Sequence, residues 1–143
     1  MLGPPAGRTE DVMYEIVEQY TFGATHQIHG LPSAHPCAGV HAHRWLVEIV
    51  LVTGQLLPTD GPSEVALLEP VRNYIAKEMD GRHLNDVVMG AATPARLARH
   101  LAVWCQQNLP AHVTKSLSAV LMAAGDNSRG RYVLARTGPG ATR

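Results

Sequence analysis

A chain of 143 residues and 15.4 kDa, 45% apolar, is long enough for one domain with a real core and too short for two. No stretch approaches the roughly 20 apolar residues of a membrane helix. Twelve basic against twelve acidic side chains, with no basic stripe, argue against electrostatic nucleic-acid binding.

The opening "MLGPPAGRTEDVMYE" lacks the basic and apolar regions of a secretory signal, so a cytoplasmic location is expected, with Cys37 and Cys105 reduced. Residues 1–11 and 137–143 are rich in Gly, Pro and small polar residues and read as flexible tails around a single domain, 12–136. From Val12 the positions Val12, Tyr14, Ile16, Tyr20, Phe22, Ala24 and His26 alternate with Glu15, Gln19 and Thr21, which predicts a long strand. "HRWLVEIVLVTG" predicts a second strand, with Trp45, Val47, Ile49 and Leu51 on one face and Leu46, Val50 and Val52 on the other. A strand apolar on both faces is covered on both, by helices or by another subunit. Val65, Leu68, Val71, Ile75 and Met79 recur at helical spacing and predict an amphipathic helix from Pro62 to Met79. "TPARLARHLAVWCQQNLP" predicts another, with Thr93 as N-cap, Pro94 as first helical residue, and Leu97, Leu101, Trp104 and Cys105 on one face. Two last strands, about Val113–Ala123 and Arg131–Ala135, flank the turn "GDNSRG". The order predicts an α+β domain with both helices on one side of an antiparallel sheet.

Between Thr25 and Trp45 the chain gathers five histidines and Cys37 within 21 residues. His41 and His43 stand two apart at the start of the second strand, where such neighbours share a face roughly 6.5–7 Å apart. His26 ends the first strand on the face of Phe22 and Ala24, placed to add a third imidazole. Three neutral histidines leave one position of a tetrahedral Zn²⁺ open, as in catalytic sites. The competing reading is a chance His-x-His in a chain with eight histidines, and spacing alone leaves both readings open. His29 and His35 read as exposed loop residues, His100 as a helix-surface residue and His112 as a strand-edge residue.

The combination "FGATHQI...CAGVHAHRWLVEIVL" resembles the Phe-x-Ala-x-His and Cys-x-x-x-His-Gly-His pattern of the 6-pyruvoyl-tetrahydropterin and 6-carboxytetrahydropterin synthase family. The matching residues are Phe22, Ala24, His26, Cys37, His41 and His43, with Ala42 in the glycine's place. Asp60 in "PTDGPSEVALLEPVRNYI", the Asp80, Leu84 and Asn85 of "MDGRHLND", and "ATPARLARHL" extend the likeness from about Tyr14 to Tyr132. The resemblance implies a tunnelling fold (T-fold), whose four-stranded sheets join into barrels in a trimer or hexamer. It also implies active sites at subunit interfaces, a small-molecule substrate, and zinc held by His26, His41 and His43.

By the same resemblance the expected chemistry is a carbon–oxygen lyase or cyclase reaction. Zinc polarises a substrate oxygen, Cys37 takes the proton as thiolate, and an Asp-His pair beginning at Asp80 relays protons. Three departures stand out. Gly81 occupies the relay histidine's place, leaving His83, two residues on, as the substitute. Ala124 falls where a glutamate holds the pterin, and Ala95 replaces the glutamate of the second helix. A zinc enzyme with a non-standard substrate is therefore expected, the rival being a non-catalytic protein that keeps zinc for folding or binding.

Overall fold

The structure, a computed structural model, describes residues 13–55 and 64–134. The expected tails, Val12, Asp60, Pro62 and Ala135 lie outside the described residues. Four strands, β1 (Tyr14–His26), β2 (His41–Thr53), β3 (Leu117–Ala124) and β4 (Ser128–Val133), form one antiparallel sheet in the order β1-β2-β3-β4. β1 and β2 pair without a slip from Tyr14 opposite Thr53 to His26 opposite His41. The alternation of their side chains sends Tyr20, Phe22, Ala24 and His26 to the same face as Trp45, Val47 and Ile49. Val120, Met122 and Ala124 of β3 join them, and this face buries Leu68, Val71, Ile75, Leu97 and Leu101 of the helical layer. On the other face Val50 is buried, Leu46 and Leu121 are half-buried, and Val17 is exposed.

The first predicted helix is divided into α1 (Glu64–Leu67) and α2 (Glu69–Glu78). Pro70, in the first turn of α2, has no N–H to bond backward and its ring crowds the preceding turn, so the helix restarts there. Tyr20 crosses to this layer, its hydroxyl donating to the Leu68 carbonyl at 3.4 Å beneath the Arg72 guanidinium. Burial pushes its phenol up to about 12.

Helix α3 (Pro94–Asn108) begins as its sequence predicts. Thr93 is extended, and its hydroxyl accepts the Arg96 N–H at 3.3 Å. Leu97, Ala98, Leu101, Ala102 and Cys105 are buried, and burial pushes the Cys105 thiol up to about 12. Thr93→Ala removes the cap and is expected to cost about 1 kcal/mol in urea unfolding.

The end of the chain differs from the expected strands in two places. Pro110 opens a helical turn, α4 (Ala111–Thr114), so β3 starts at Leu117 and not at Val113. Val113 is buried in the core from that turn, which places His112 on an exposed helical surface and not on a strand edge. The hairpin is also tighter than "GDNSRG". Gly125 takes φ +63°, a conformation that favours glycine, and Ala124 already pairs with Ser128. β4 then passes so close to α3 that a Cβ on Gly130 would stand 2.1 Å from the Ala95 nitrogen.

Candidate metal centre

His26 and His41 are direct cross-strand partners, and His43 lies opposite Ala24 one pleat away. The three rings therefore converge on the helix-facing side, with centroid separations of 4.4, 5.2 and 4.8 Å. One ligand atom from each lies within 4.8 Å of the other two. Trp45 closes the apolar side edge-on, 4.9 Å from the His26 ring and 5.8 Å from that of His43. Its indole N–H is satisfied by the Ala24 carbonyl at 3.2 Å.

Backbone acceptors settle which nitrogen faces the centre. His26 Nδ1 is 2.8 Å from the Ala92 carbonyl, and His41 Nδ1 is 2.8 Å from that of Gly39. A carbonyl can only accept, so each Nδ1 carries the proton and each Nε2 presents its lone pair. Both Nε2 atoms are buried with no hydrogen-bond partner. A histidine kept only for packing would satisfy its buried nitrogen. Two orphaned lone pairs facing a third imidazole suit a borderline cation such as Zn²⁺.

Burial holds the His26 imidazole below its usual range, with the neighbouring His41 and His43 acting in the same direction and the Ala92 carbonyl opposing. His43 is lowered by burial and then by His41. His100 is lowered by burial; it is half-buried, with Nε2 2.7 Å from the Tyr74 hydroxyl, rather than a simple surface residue. A lowered folded-state value means that the unfolded chain takes up protons first as the pH falls. Metal-stripped protein is therefore expected to hold its full stability above about pH 6.5 and to lose it as the pH falls toward the depressed values. Denaturant midpoints between pH 7.5 and 5.5 check this, and a flat profile would contradict it.

Cys37 stands outside the cluster of three imidazoles but shares a cavity with two of them. Its N–H donates to His35 Nδ1 at 3.0 Å and its carbonyl accepts the Ile28 N–H at 3.0 Å, which pins the loop back onto the end of β1. Cys37, His26 and His43 line one cavity of about 510 Å³. Its far walls are the start of α3, including Ala95, and the β3–β4 hairpin from Ala124 to Arg129.

Asp80 and His83 do not line that cavity, although His83 stands near enough to His26 to oppose its protonation. The Asp80 carboxylate accepts the Gly23 N–H at 3.1 Å, while Gly81 at φ +73° donates to the Gly23 carbonyl. His83 Nδ1 is 2.9 Å from the Thr25 hydroxyl, and Thr25 is one residue out of step with His26 along β1. His83 lines a separate cavity of about 420 Å³ with Tyr74, Glu78 and Asp86. Asn85 completes this turn, its amide bonding both the N–H and the carbonyl of Gln27. His29 is exposed and stands outside the trio; His35 is exposed and serves the Cys37 N–H.

Sequence reasoning missed the two carbonyl anchors, since a backbone acceptor carries no residue signature. The family resemblance placed Ala124 at the substrate site, but nothing in the sequence marked the rest of the hairpin, Gly125 to Arg129, as lining the same cavity.

Residues 15–128 match the family model described as 6-pyruvoyl tetrahydropterin synthase. No curated protein sequence matches the chain significantly. Among solved structures, 6-pyruvoyl tetrahydropterin synthase of Caenorhabditis elegans superposes with TM-score 0.69 at 18% identity, over 85% of this chain and 95% of that one. An uncharacterised protein of Wolinella succinogenes gives 0.68 at 16% identity, covering 85% and 98%. The Plasmodium vivax 6-pyruvoyltetrahydropterin synthase, in a variant with a catalytic glutamate replaced by alanine, gives 0.60 at 12% identity, covering 84% and 96%. These likenesses establish the T-fold for this sheet and its helices.

Proposed function

Because the chain belongs to the 6-pyruvoyl tetrahydropterin synthase family as a divergent member, we propose that it is a zinc-dependent lyase or cyclase acting on a small oxygen-bearing substrate other than the standard pterin. One observation carries this reading: two buried imidazole nitrogens, of His26 and His41, are proton-bearing on their far sides and partnerless on their near sides, and His26 and His43 of the same trio line a cavity with a cysteine. His26, His41 and His43 would hold the ion. Zinc, when bound, supplies a Lewis acid that draws charge from a substrate oxygen and acidifies the adjacent C–H.

The chain's own groups do the rest. The carbonyls of Ala92 and Gly39 fix the ring orientations of His26 and His41. Trp45 keeps the inner side of the centre apolar, which strengthens every charge interaction there. Cys37, held at both backbone ends, takes the substrate proton as a thiolate at Sγ. Within one chain Asp80 and His83 are hydrogen-bonded to Gly23 and Thr25 and do not line this cavity, so their relay role would be played beside a neighbouring copy. A homo-oligomer with interfacial sites, as the family implies, would supply one.

The same occupancy of Asp80 and His83 favours the second reading, a non-catalytic protein that uses zinc for folding or binding. Cys37 separates the two. In zinc-loaded protein given dihydroneopterin triphosphate, any release of triphosphate is expected to fall at least about 100-fold in Cys37→Ala, with zinc content unchanged. Turnover unaffected by Cys37→Ala would remove the cysteine from the mechanism. Zinc retention without turnover of this substrate fits a changed substrate and the non-catalytic reading alike.

A further inference from the structure

The cavity beside the histidine trio is divided by polarity. Beyond His26, His43 and Cys37, its apolar lining is Ile28, Pro94, Ala95 and Ala124, of which Pro94 and Ala124 are buried and Ala95 is exposed. The polar side chains of the hairpin that line it, Asp126, Asn127, Ser128 and Arg129, are all exposed. Thr93, which lines the cavity from the start of α3, has a hydroxyl that already accepts the Arg96 N–H as the helix cap. Among the described residues His26 is the one buried polar side chain, and its unpartnered nitrogen points to the metal centre.

From this division we infer that the site takes a compact ligand with a single oxygen-bearing head, a carboxylate or an adjacent hydroxyl–carbonyl pair, on an apolar body. The inference rests on the proposed metal centre and names the substrate class for it. The head sits at the histidines, and the body fills the wall of Ala124, Ala95, Pro94 and Ile28. A fused aminopyrimidine carries donors and acceptors along a whole edge, and these four side chains have none to receive them; the carboxylate and amide that line the cavity, Asp126 and Asn127, are exposed on the hairpin. Burying such an edge against methyl groups strands each of its polar atoms. An alkyl or aryl body meets the same wall without that cost and gains by leaving water. At about 510 Å³ the cavity falls within the range of small-molecule sites.

Cobalt(II) bound in place of zinc provides a readout independent of turnover, because its visible absorption changes when a ligand reaches it. Full-length protein loaded with cobalt is titrated with acetohydroxamate, benzohydroxamate and dihydroneopterin. Benzohydroxamate is expected to bind at least about ten-fold more tightly than either of the others, since it alone joins a metal-seeking head to an apolar ring. Ala124→Glu places a carboxylate in the wall and is expected to weaken benzohydroxamate at least about ten-fold with cobalt content unchanged. The wild-type series decides the matter even if that variant misfolds. Equal affinity for the two hydroxamates, or tightest binding of dihydroneopterin, would overturn the inference and leave the metal centre standing. A chain that takes up no cobalt or zinc would overturn the metal centre itself, and this inference with it.

Discussion

Replacing His26 with alanine is expected to lower zinc affinity by more than about 100-fold, beyond the roughly 10–100-fold that loss of an outer hydrogen-bond partner costs a metal site. The reason is positional. His26 is the most deeply buried member of the trio, 4% exposed, and its ring is locked by the Ala92 carbonyl with Nε2 facing the centre. Two imidazoles remain in the variant, and nothing in the apolar surroundings of Trp45 replaces the third. Competition against a chromogenic chelator measures the loss. Thermal unfolding supplies a second reading: zinc at 100 times its Kd should stabilise the wild type by about 2.7 kcal/mol and the variant by almost nothing. His29→Ala is the control, being exposed and outside the trio. Zinc binding equal to wild type in His26→Ala would remove this residue from the ligand set.

Gly130→Ala is the stability counterpart. The new methyl carbon would stand 2.1 Å from the Ala95 nitrogen, 2.4 Å from its Cα and 2.6 Å from the Pro94 carbonyl carbon, all backbone atoms that no side-chain rotation can move aside. β4 must leave α3 or the helix must shift, and overpacking of this kind costs typically 1–3 kcal/mol and occasionally more. We expect about 3 kcal/mol in denaturant unfolding, together with weaker ligand binding, because the start of α3 and this hairpin are two walls of one cavity. Gly23→Ala meets no atom within 4 Å and serves as the comparison. Equal unfolding midpoints for the two variants would show that β4 does not press on α3.

How far the sequence disclosed this molecule depended on how local the signal was. The alternation through Tyr14–His26 and His41–Thr53 stated both strands and, with them, which histidines share a face. Thr93 and Pro94 likewise announced α3. Signals failed where tertiary context decided. The apolar spacing around Val113 reads as strand, yet Pro110 turns it into a buried helical turn. Pro70 divided a helical pattern that reads as continuous across it. Gly130 resembles a turn glycine in sequence, and only the approach of α3 shows why it is there. His100 looked like a surface residue because its partner, Tyr74, belongs to a different helix. At the site, spacing alone suggested the trio, whereas Cys37 drew notice through the family pattern and its loop is held by backbone bonds that leave no mark in the sequence.

Everything proposed for this site depends on an ion held by His26, His41 and His43, with Cys37 unligated. Zinc X-ray absorption on protein purified without chelators addresses it directly, alongside metal content per chain. One zinc per chain is expected, with three imidazole nitrogens at about 2.0–2.1 Å and a light oxygen donor completing the sphere. Metal-free protein that rejects added zinc, or a sulfur ligand at about 2.3 Å, would contradict it. The first result would dissolve the centre; the second would make Cys37 a ligand and close the position at which a substrate is to bind.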